Sequence, residues 1–303
     1  MFRLGVAALR VALSSWQLPR RLCVRRLRGG VTSDTLLLSA GGLRYVAKLT
    51  YEHQYVVETG LRAAELVEEH SDLATGRPLR TTAGALSVMV ECPPGKHHPL
   101  AVLHHVVGRR LAWRSPEAAR TLGQVLGTMH GVLRREGFDA GSEDRLFAYL
   151  DGEGFELAES RRVRRAVQDT VTAVRRFEAT TSVTYGATYG DGLDVRIDAS
   201  SGRLGLIDWG GVSWAPLLLD LAMTARQLRL SGLAAVDEFL GAYLERSPLG
   251  SNELEGRLLY ERLFVASRVR FHAFRAIRGA HYGHEAALRS RRRMEVGLRD
   301  LGY

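Results

Sequence analysis

The chain has 303 residues, 46% of them apolar and 25% charged, values of a globular protein with enough length for two lobes or domains. Its two cysteines, Cys23 and Cys92, exclude a disulfide framework, fit a reducing cytoplasm and read as buried small hydrophobes. The formal charge of +9 brings nucleic acid into consideration, while no apolar stretch approaches the roughly 20 residues that span a bilayer.

In chain order, no acidic residue precedes Asp34, and arginines recur from Arg3 to Arg28. That composition matches a mitochondrial transit peptide. The reading preferred is a short amphipathic helix and then a strand over Leu22–Leu27, running straight into Gly29-Gly30. Of the 42 basic residues only Lys48 and Lys96 are lysines, a bias typical of a high-GC bacterial genome, so a cytoplasmic location is expected. Gly29-Gly30-Val31-Thr32-Ser33-Asp34 precedes the apolar run Thr35–Leu38, and Ala40-Gly41-Gly42 leads into Leu43–Lys48. Such a strand–turn–strand is either a plain hairpin or a place where backbone N–H groups approach phosphate. Lys48 sharpens the second reading, because a compact ammonium kept in an apolar strand differs in function from a guanidinium. The next segment, Glu58–Glu69, is helical in composition, with Leu61, Ala64 and Leu66 on an apolar side. Glu58 and Glu65, seven apart on one face, can each reach back to Lys48 or form a solvated acidic face.

After an apolar run at Ala101–Val107, Ser115-Pro116 opens a helix that reaches Gly131. Helices are expected at 144–159 and 161–177. Asp191-Gly-Leu-Asp194-Val-Arg-Ile, a polar turn and Gly205-Leu-Ile-Asp208-Trp209 then read as strand, turn and strand. Asp191, Asp194 and Asp208 can converge at one hairpin end, where three carboxylates repel unless a divalent cation or a transferred proton relieves them. The competing reading is Asp in turns for local hydrogen bonding. Further helices are expected at 217–230, 233–245, 253–278 and 285–301. The stretch Arg268–Arg275 and the run Arg289–Arg293 are basic, and solvated helix faces explain them as well as nucleic acid does. No helix-turn-helix, zinc spacing or aromatic RNA motif accompanies them.

The order glycine turn, strand lysine, helix glutamate, apolar connector, catalytic loop and Ile207-Asp208-Trp209 resembles the aminoglycoside phosphotransferase and choline kinase-like family over about Arg28 to Ala222. The resemblance implies a two-lobed protein-kinase-like α+β fold. Residues 1–107 would form a small nucleotide-binding lobe of antiparallel sheet plus helix, and residues 108–303 a mainly helical catalytic and acceptor-binding lobe. It further implies that Gly29, Gly30, Val31, Thr32 and Ser33 form the nucleotide loop and that Lys48, fixed by Glu58 or else Glu65, meets the phosphates. The connector Ala101–Arg109, through His104 and Val106, would meet the adenine. Asp191 would be the catalytic base, Asp194 and Asp208 the Mg²⁺ ligands, and Asp220 the brace of the catalytic loop.

Where the family has His-Gly-Asp followed five residues later by Asn, this chain has Tyr189-Gly190-Asp191, with Asp194 three residues on. A loop shortened by two residues keeps Asp191 catalytic and makes Asp194 the metal ligand; a decayed site would bind nucleotide without turnover. The resulting expectation is an ATP- or GTP-dependent, Mg²⁺-using O-phosphotransferase acting on a hydroxyl of an antibiotic, nucleoside or sugar-containing natural product. The alternatives are a catalytically silent nucleotide-binding relative and a basic nucleic-acid-binding helical protein. Because Arg268, Arg270, Arg275 and Arg278 outweigh nearby carboxylates, the acceptor is expected to be neutral or anionic.

Overall fold

The computed structural model describes residues 5–27, 33–92, 95–113, 115–141, 147, 149–150, 160–190, 192–247, 249–277 and 284–303. In chain order the elements are helix α1 (Val6–Leu13), strands β1 (Cys23–Arg26), β2 (Ser33–Ala40) and β3 (Leu43–Thr50), and helix α2 (Gln54–Glu69). Strands β4 (Pro78–Leu79), β5 (Val88–Glu91), β6 (His97–His104) and β7 (Arg109–Arg110) follow, then helices α3 (Pro116–Arg135) and α4 (Ser160–Thr180). Next come strands β8 (Tyr185–Thr188), β9 (Asp194–Ile197), β10 (Leu204–Ile207) and β11 (Ser213–Pro216). Helices α5 (Leu218–Leu228), α6 (Leu233–Leu244), α7 (Arg257–Ile277) and α8 (His284–Leu301) complete the chain. Most of the expected helix 144–159 lies outside the described residues.

Two compact units result, Met1–Ala112 with Leu193–Val212 and Trp113–Gly192 with Ser213–Tyr303. The expected break near Val107-Gly108 assigns everything after it to one lobe; instead the β9–β10 hairpin folds with the first unit.

That unit is built on an antiparallel sheet ordered β1-β2-β3-β6-β4, with β5 also paired to β6. Gly41 and Gly42, at φ of 56° and 86°, make the two-residue turn that sets the Ala40↔Leu43 register, a turn only glycine-like residues take without strain. One face of the sheet packs Leu36, Leu38, Ala47, Leu49, Leu100 and Val102 with Leu9, Leu13 and Trp16 from the N-terminal segment. The Trp16 indole donates to the Leu79 carbonyl at 2.8 Å, satisfying the polar atom that this side chain brings into the core. Val57 and Leu61 of α2 pack with Ala101 on β6. Cys92 is buried as expected, whereas Cys23 is exposed because β1 is an edge strand. A second small sheet, β10-β9-β7, is tied on by Ala74, which exchanges backbone hydrogen bonds of 2.9 Å with Leu204 and Leu206.

The second unit is mainly helical. Ser115 caps α3 by accepting the Ala118 N–H at 3.2 Å, with Pro116 in the first turn. Gly123 and Gly127, four apart, let α3 lie directly on α6: a Cβ there would stand 2.3 Å from the Phe239 carbonyl oxygen and 2.8 Å from that of Tyr243. The short ribbon β8–β11 leads into the loop at Tyr189. No helix among the described residues is long and apolar enough to cross a membrane.

Candidate active site

In the first unit, antiparallel pairing sets Ile207 opposite Asp194, so Asp194 and Asp208 stand at the same end of the β9–β10 hairpin, as the sequence suggested. Asp208 occupies the left-handed region at φ 76° and ψ 56°, the one described non-glycine residue with positive φ. Such a conformation costs about 1–2 kcal/mol and holds when its surroundings over-determine it. Here Trp209 is buried, its indole donates to the Leu206 carbonyl at 2.9 Å, and Gly60 of α2 sits against its backbone. A Cβ at Gly60 would come within 2.0 Å of the Trp209 carbonyl oxygen.

The Lys48 ammonium on β3 donates to the Asp208 carboxylate. Both expected glutamate partners are engaged elsewhere. Glu58 accepts from Gln54 Nε2 at 2.9 Å and Ser87 Oγ at 2.8 Å, and Glu65 pairs with Arg80 at 2.5 Å and Arg77 at 3.5 Å. The expected pairing of Lys48 with the α2 face therefore gives way to a pair with the hairpin. Long-range packing of α2 against Trp209 supplies this partner, which helical spacing could not reveal.

Asp194 pairs with Arg196 Nη2 at 3.1 Å and Arg110 Nε at 3.6 Å, while its Oδ1 is buried without a hydrogen-bond partner among the described residues. Mg²⁺ is typically held by one or two carboxylates plus substrate phosphates and water. Asp208 and Asp194 Oδ1, which faces Arg110 Nε but accepts no hydrogen bond among the described residues, fit that donor set. No cluster of three or more acidic, histidine or cysteine side chains suited to a metal occurs among the described residues, so a closed protein cage does not.

Along the connector, His104 and His105 already donate their N–H groups to the Arg77 and Arg44 carbonyls at 3.0 and 3.3 Å. Val106 has no such bond among the described residues, leaving its N–H available to a ligand. Burial, with Arg44 and Arg196 nearby, presses the His105 pKa below its usual value. Ser33 is buried at the start of β2. Gly29, Gly30, Val31 and Thr32 lie outside the described residues, as does Asp191.

In the second unit, the loop that carries Asp191 is anchored on its near side. Asp220, 1% exposed at the start of α5, accepts the Tyr189 N–H at 2.5 Å and the Gly190 N–H at 3.0 Å. Gly190 adopts φ 74°, which suits a residue without Cβ. His130 of α3 places Nε2 3.1 Å from Asp220 and Nδ1 2.9 Å from the Tyr243 hydroxyl. A carboxylate only accepts, so Nε2 carries a proton, and Nδ1 pairs with the Tyr243 hydroxyl. Burial raises the Tyr243 pKa far above normal and keeps that hydroxyl protonated. The sequence pointed to Asp220 but not to His130 or Tyr243 as its support; the four-residue glycine spacing along α3 is the signal that could have shown which face meets α6.

Beside Gly190 and Asp220 lies a cavity of about 250 Å³, walled by Tyr149, Met223, Phe264, Arg268 and Phe271. Asp220, its one carboxylate among the described residues, already accepts three hydrogen bonds, and the Arg268 guanidinium lies 4.8 Å from the Phe271 ring centre.

A profile of the phosphotransferase enzyme family (APH) matches residues 24–258. Among solved structures, a microcompartment-associated aminopropanol kinase superposes with a TM-score of 0.72 at 18% identity, covering 97% of this chain and 95% of that one. An amicoumacin kinase bound to AMP-PNP, Ca²⁺ and Ami superposes at 0.73 and 11% identity, covering 97% and 92%. Choline kinase LicA from Streptococcus pneumoniae gives 0.63 and 16%, covering 93% and 95%. At these identities the likeness establishes the kinase-like α+β fold. No curated protein sequence matches the chain.

Proposed function

This chain belongs to the phosphotransferase enzyme family, and we propose that it is an active small-molecule kinase that moves the γ-phosphoryl group of ATP to an acceptor hydroxyl. The observation that carries this reading is the intact loop brace: Asp220 holds the Tyr189 and Gly190 amides and is itself held by His130. A loop that no longer served catalysis would have no need of three hydrogen bonds converging on one buried carboxylate.

In the reaction, the acceptor oxygen forms a bond to the γ-phosphorus while the bond to the β–γ bridging oxygen breaks, and ADP leaves. Asp191 takes the hydroxyl proton, which requires its carboxylate within about 3 Å of that oxygen, directly or through one water. Lys48 meets the phosphates, and Gly29, Gly30, Val31, Thr32 and Ser33 supply backbone N–H groups to them. Val106, whose N–H has no backbone partner among the described residues, and His104 bound the base. Mg²⁺ on Asp208 and Asp194, when bound, neutralises developing charge on the phosphoryl oxygens. An ion pair as exposed as Lys48–Asp208, with side chains 22% and 59% accessible, contributes only roughly 0–1 kcal/mol. Exchanging it for phosphate and metal contacts costs little. GTP would serve the same phosphate contacts.

One observation favours the silent alternative, the pairing of Asp194 with Arg196 and Arg110. Mg·ATP should stabilise the protein saturably against heat, and ATP should be consumed with at least one member of a panel of hydroxylated acceptors, both effects lost with EDTA. Stabilisation without consumption across a broad panel would give the silent reading; neither effect would remove nucleotide binding altogether.

A further inference from the structure

The strand registers of the first unit give its inner side an order. Ala47 and Leu49 on β3, with Leu100 and Val102 on β6, pack with Leu9 and Leu13 of α1. By alternation Lys48, Val46 and Arg44 point to the opposite face, beside Ala101 and Leu103. Four residues of strand carry this row roughly 13 Å from Lys48 to Arg44. There the Arg44 carbonyl accepts the His105 N–H at 3.3 Å. A second row lies on the β9–β10 hairpin. Asp208 meets Lys48 at its near end, Asp194 stands opposite Ile207, and Arg196 follows two residues on, with buried Val195 between them. The far end of this row reaches the connector: Gly205, opposite Arg196, would with a Cβ come 2.4 Å from Val106 Cγ1. Arg44 and Arg196 both act on the His105 ring. A nucleotide whose phosphates sit at Lys48 and Asp208 therefore lays its nucleoside along the two rows, towards His105 and Arg196.

Two buried polar atoms at this far end have no hydrogen-bond partner among the described residues, Arg196 Nε and His105 Nδ1. The same guanidinium is already fixed through Nη2, which donates to Asp194 Oδ2 at 3.1 Å. A guanidinium N–H can only donate, and a buried donor left unpaired is costly, so Nε calls for an acceptor on a ligand. A purine supplies N7 as that acceptor. Its C6 substituent, a donor in adenine and an acceptor in guanine, suits an imidazole nitrogen that can play either part. A pyrimidine has no N7 to offer.

We propose that Arg196 reads the nucleobase: Nε donates to a purine ring nitrogen while Nη2 stays on Asp194, and His105 takes the neighbouring substituent. One guanidinium then joins the base to a carboxylate proposed to hold Mg²⁺. This rests on the kinase reading and goes further by naming the class of base and the residue that selects it. It also gives the Asp194–Arg196 pair, which as mere neutralisation would favour a silent site, a part in nucleotide selection.

ATP, GTP, CTP and tripolyphosphate, each with Mg²⁺ and titrated calorimetrically into the full chain, separate base from phosphate. The parent should bind ATP or GTP at least about tenfold more tightly than CTP, the discrimination expected of an arginine on a base edge. ATP should shift the His105 ring resonance saturably, and tripolyphosphate should not. Arg196→Ala should abolish the purine preference and leave tripolyphosphate affinity within about threefold, as for an independent contact. Arg196→Lys keeps the charge beside Asp194 but not the fork, so it should show the same loss. It carries the comparison if the alanine variant does not fold. The proposal is overturned by a parent that binds CTP as tightly as either purine nucleotide, or by a purine preference that survives in the lysine variant. It is equally overturned if tripolyphosphate binding falls as far as ATP binding, which would leave Arg196 a support of Asp194 alone. Any of these with Mg·ATP still bound by the parent leaves the kinase reading standing. A parent that binds no nucleotide removes both.

Discussion

Asp208 in the first unit and Asp220 in the second are held in opposite ways. Asp220 is 1% exposed, receives two backbone N–H groups and is steadied by His130, which is in turn bound to Tyr243. Asp208 has a side chain 59% accessible, a strained backbone and one ion pair. A buried carboxylate that already accepts three hydrogen bonds has little left to offer a ligand, and its work is to fix the chain around it. An exposed carboxylate held by one exchangeable cation is prepared to change partners. The first is scaffold, and the second is the one that the proposed kinase reading turns toward the reactants.

The sharpest way to break this division is at the residue the scaffold presents. Asp191→Asn should lower phosphoryl transfer by about 10²–10⁴-fold, the usual share of a general base, with Mg·ATP thermal stabilisation retained. A parental rate would remove Asp191 from the chemistry. Next, Lys48→Ala should cost about 10²–10³-fold in kcat, the size found when one charge-stabilising donor is lost, with the melting temperature nearly unchanged because the pair it breaks is exposed. Arginine at the same position should not restore the rate, since its planar fork needs different space.

Asp220→Asn should show the reverse signature. It sets an amide NH₂ against donors and leaves a buried N–H unsatisfied, costing roughly 1–3 kcal/mol of stability, read in urea unfolding before any kinetic effect is considered. If stability held and only turnover fell, Asp220 would belong with the reactant-facing group. The smallest effect is expected at Glu58→Gln, which keeps an acceptor for Gln54 and Ser87. Turnover should change less than about threefold, within the near-neutral range of peripheral substitutions. A loss as large as that of Lys48→Ala would show that Glu58 turns to the lysine when nucleotide binds.

Much of this architecture was legible in the sequence because its signals are local. Gly41-Gly42 fixes a hairpin through φ, Ser115-Pro116 starts a helix through capping, and the apolar runs on either side of the glycine pair mark β2 and β3, whereas the run at Ala101–Val107, read as a connector, is in large part strand β6. The motif order from Lys48 to Asp220 named the kinase-like fold. The hairpin register that sets Asp194 beside Asp208 followed from two short strands and the polar turn between them. What the sequence left open was which partner each charged side chain takes and which unit the hairpin joins. Glu58 and Glu65 looked equally able to reach Lys48, yet Ser87 and Arg80, far along the chain, hold them. Lys48 turns to Asp208, 160 residues away. Helical spacing states which residues share a face but not what that face meets. That depends on close approaches such as Gly60 on Trp209 and Gly127 on Tyr243, which only the packed structure decides.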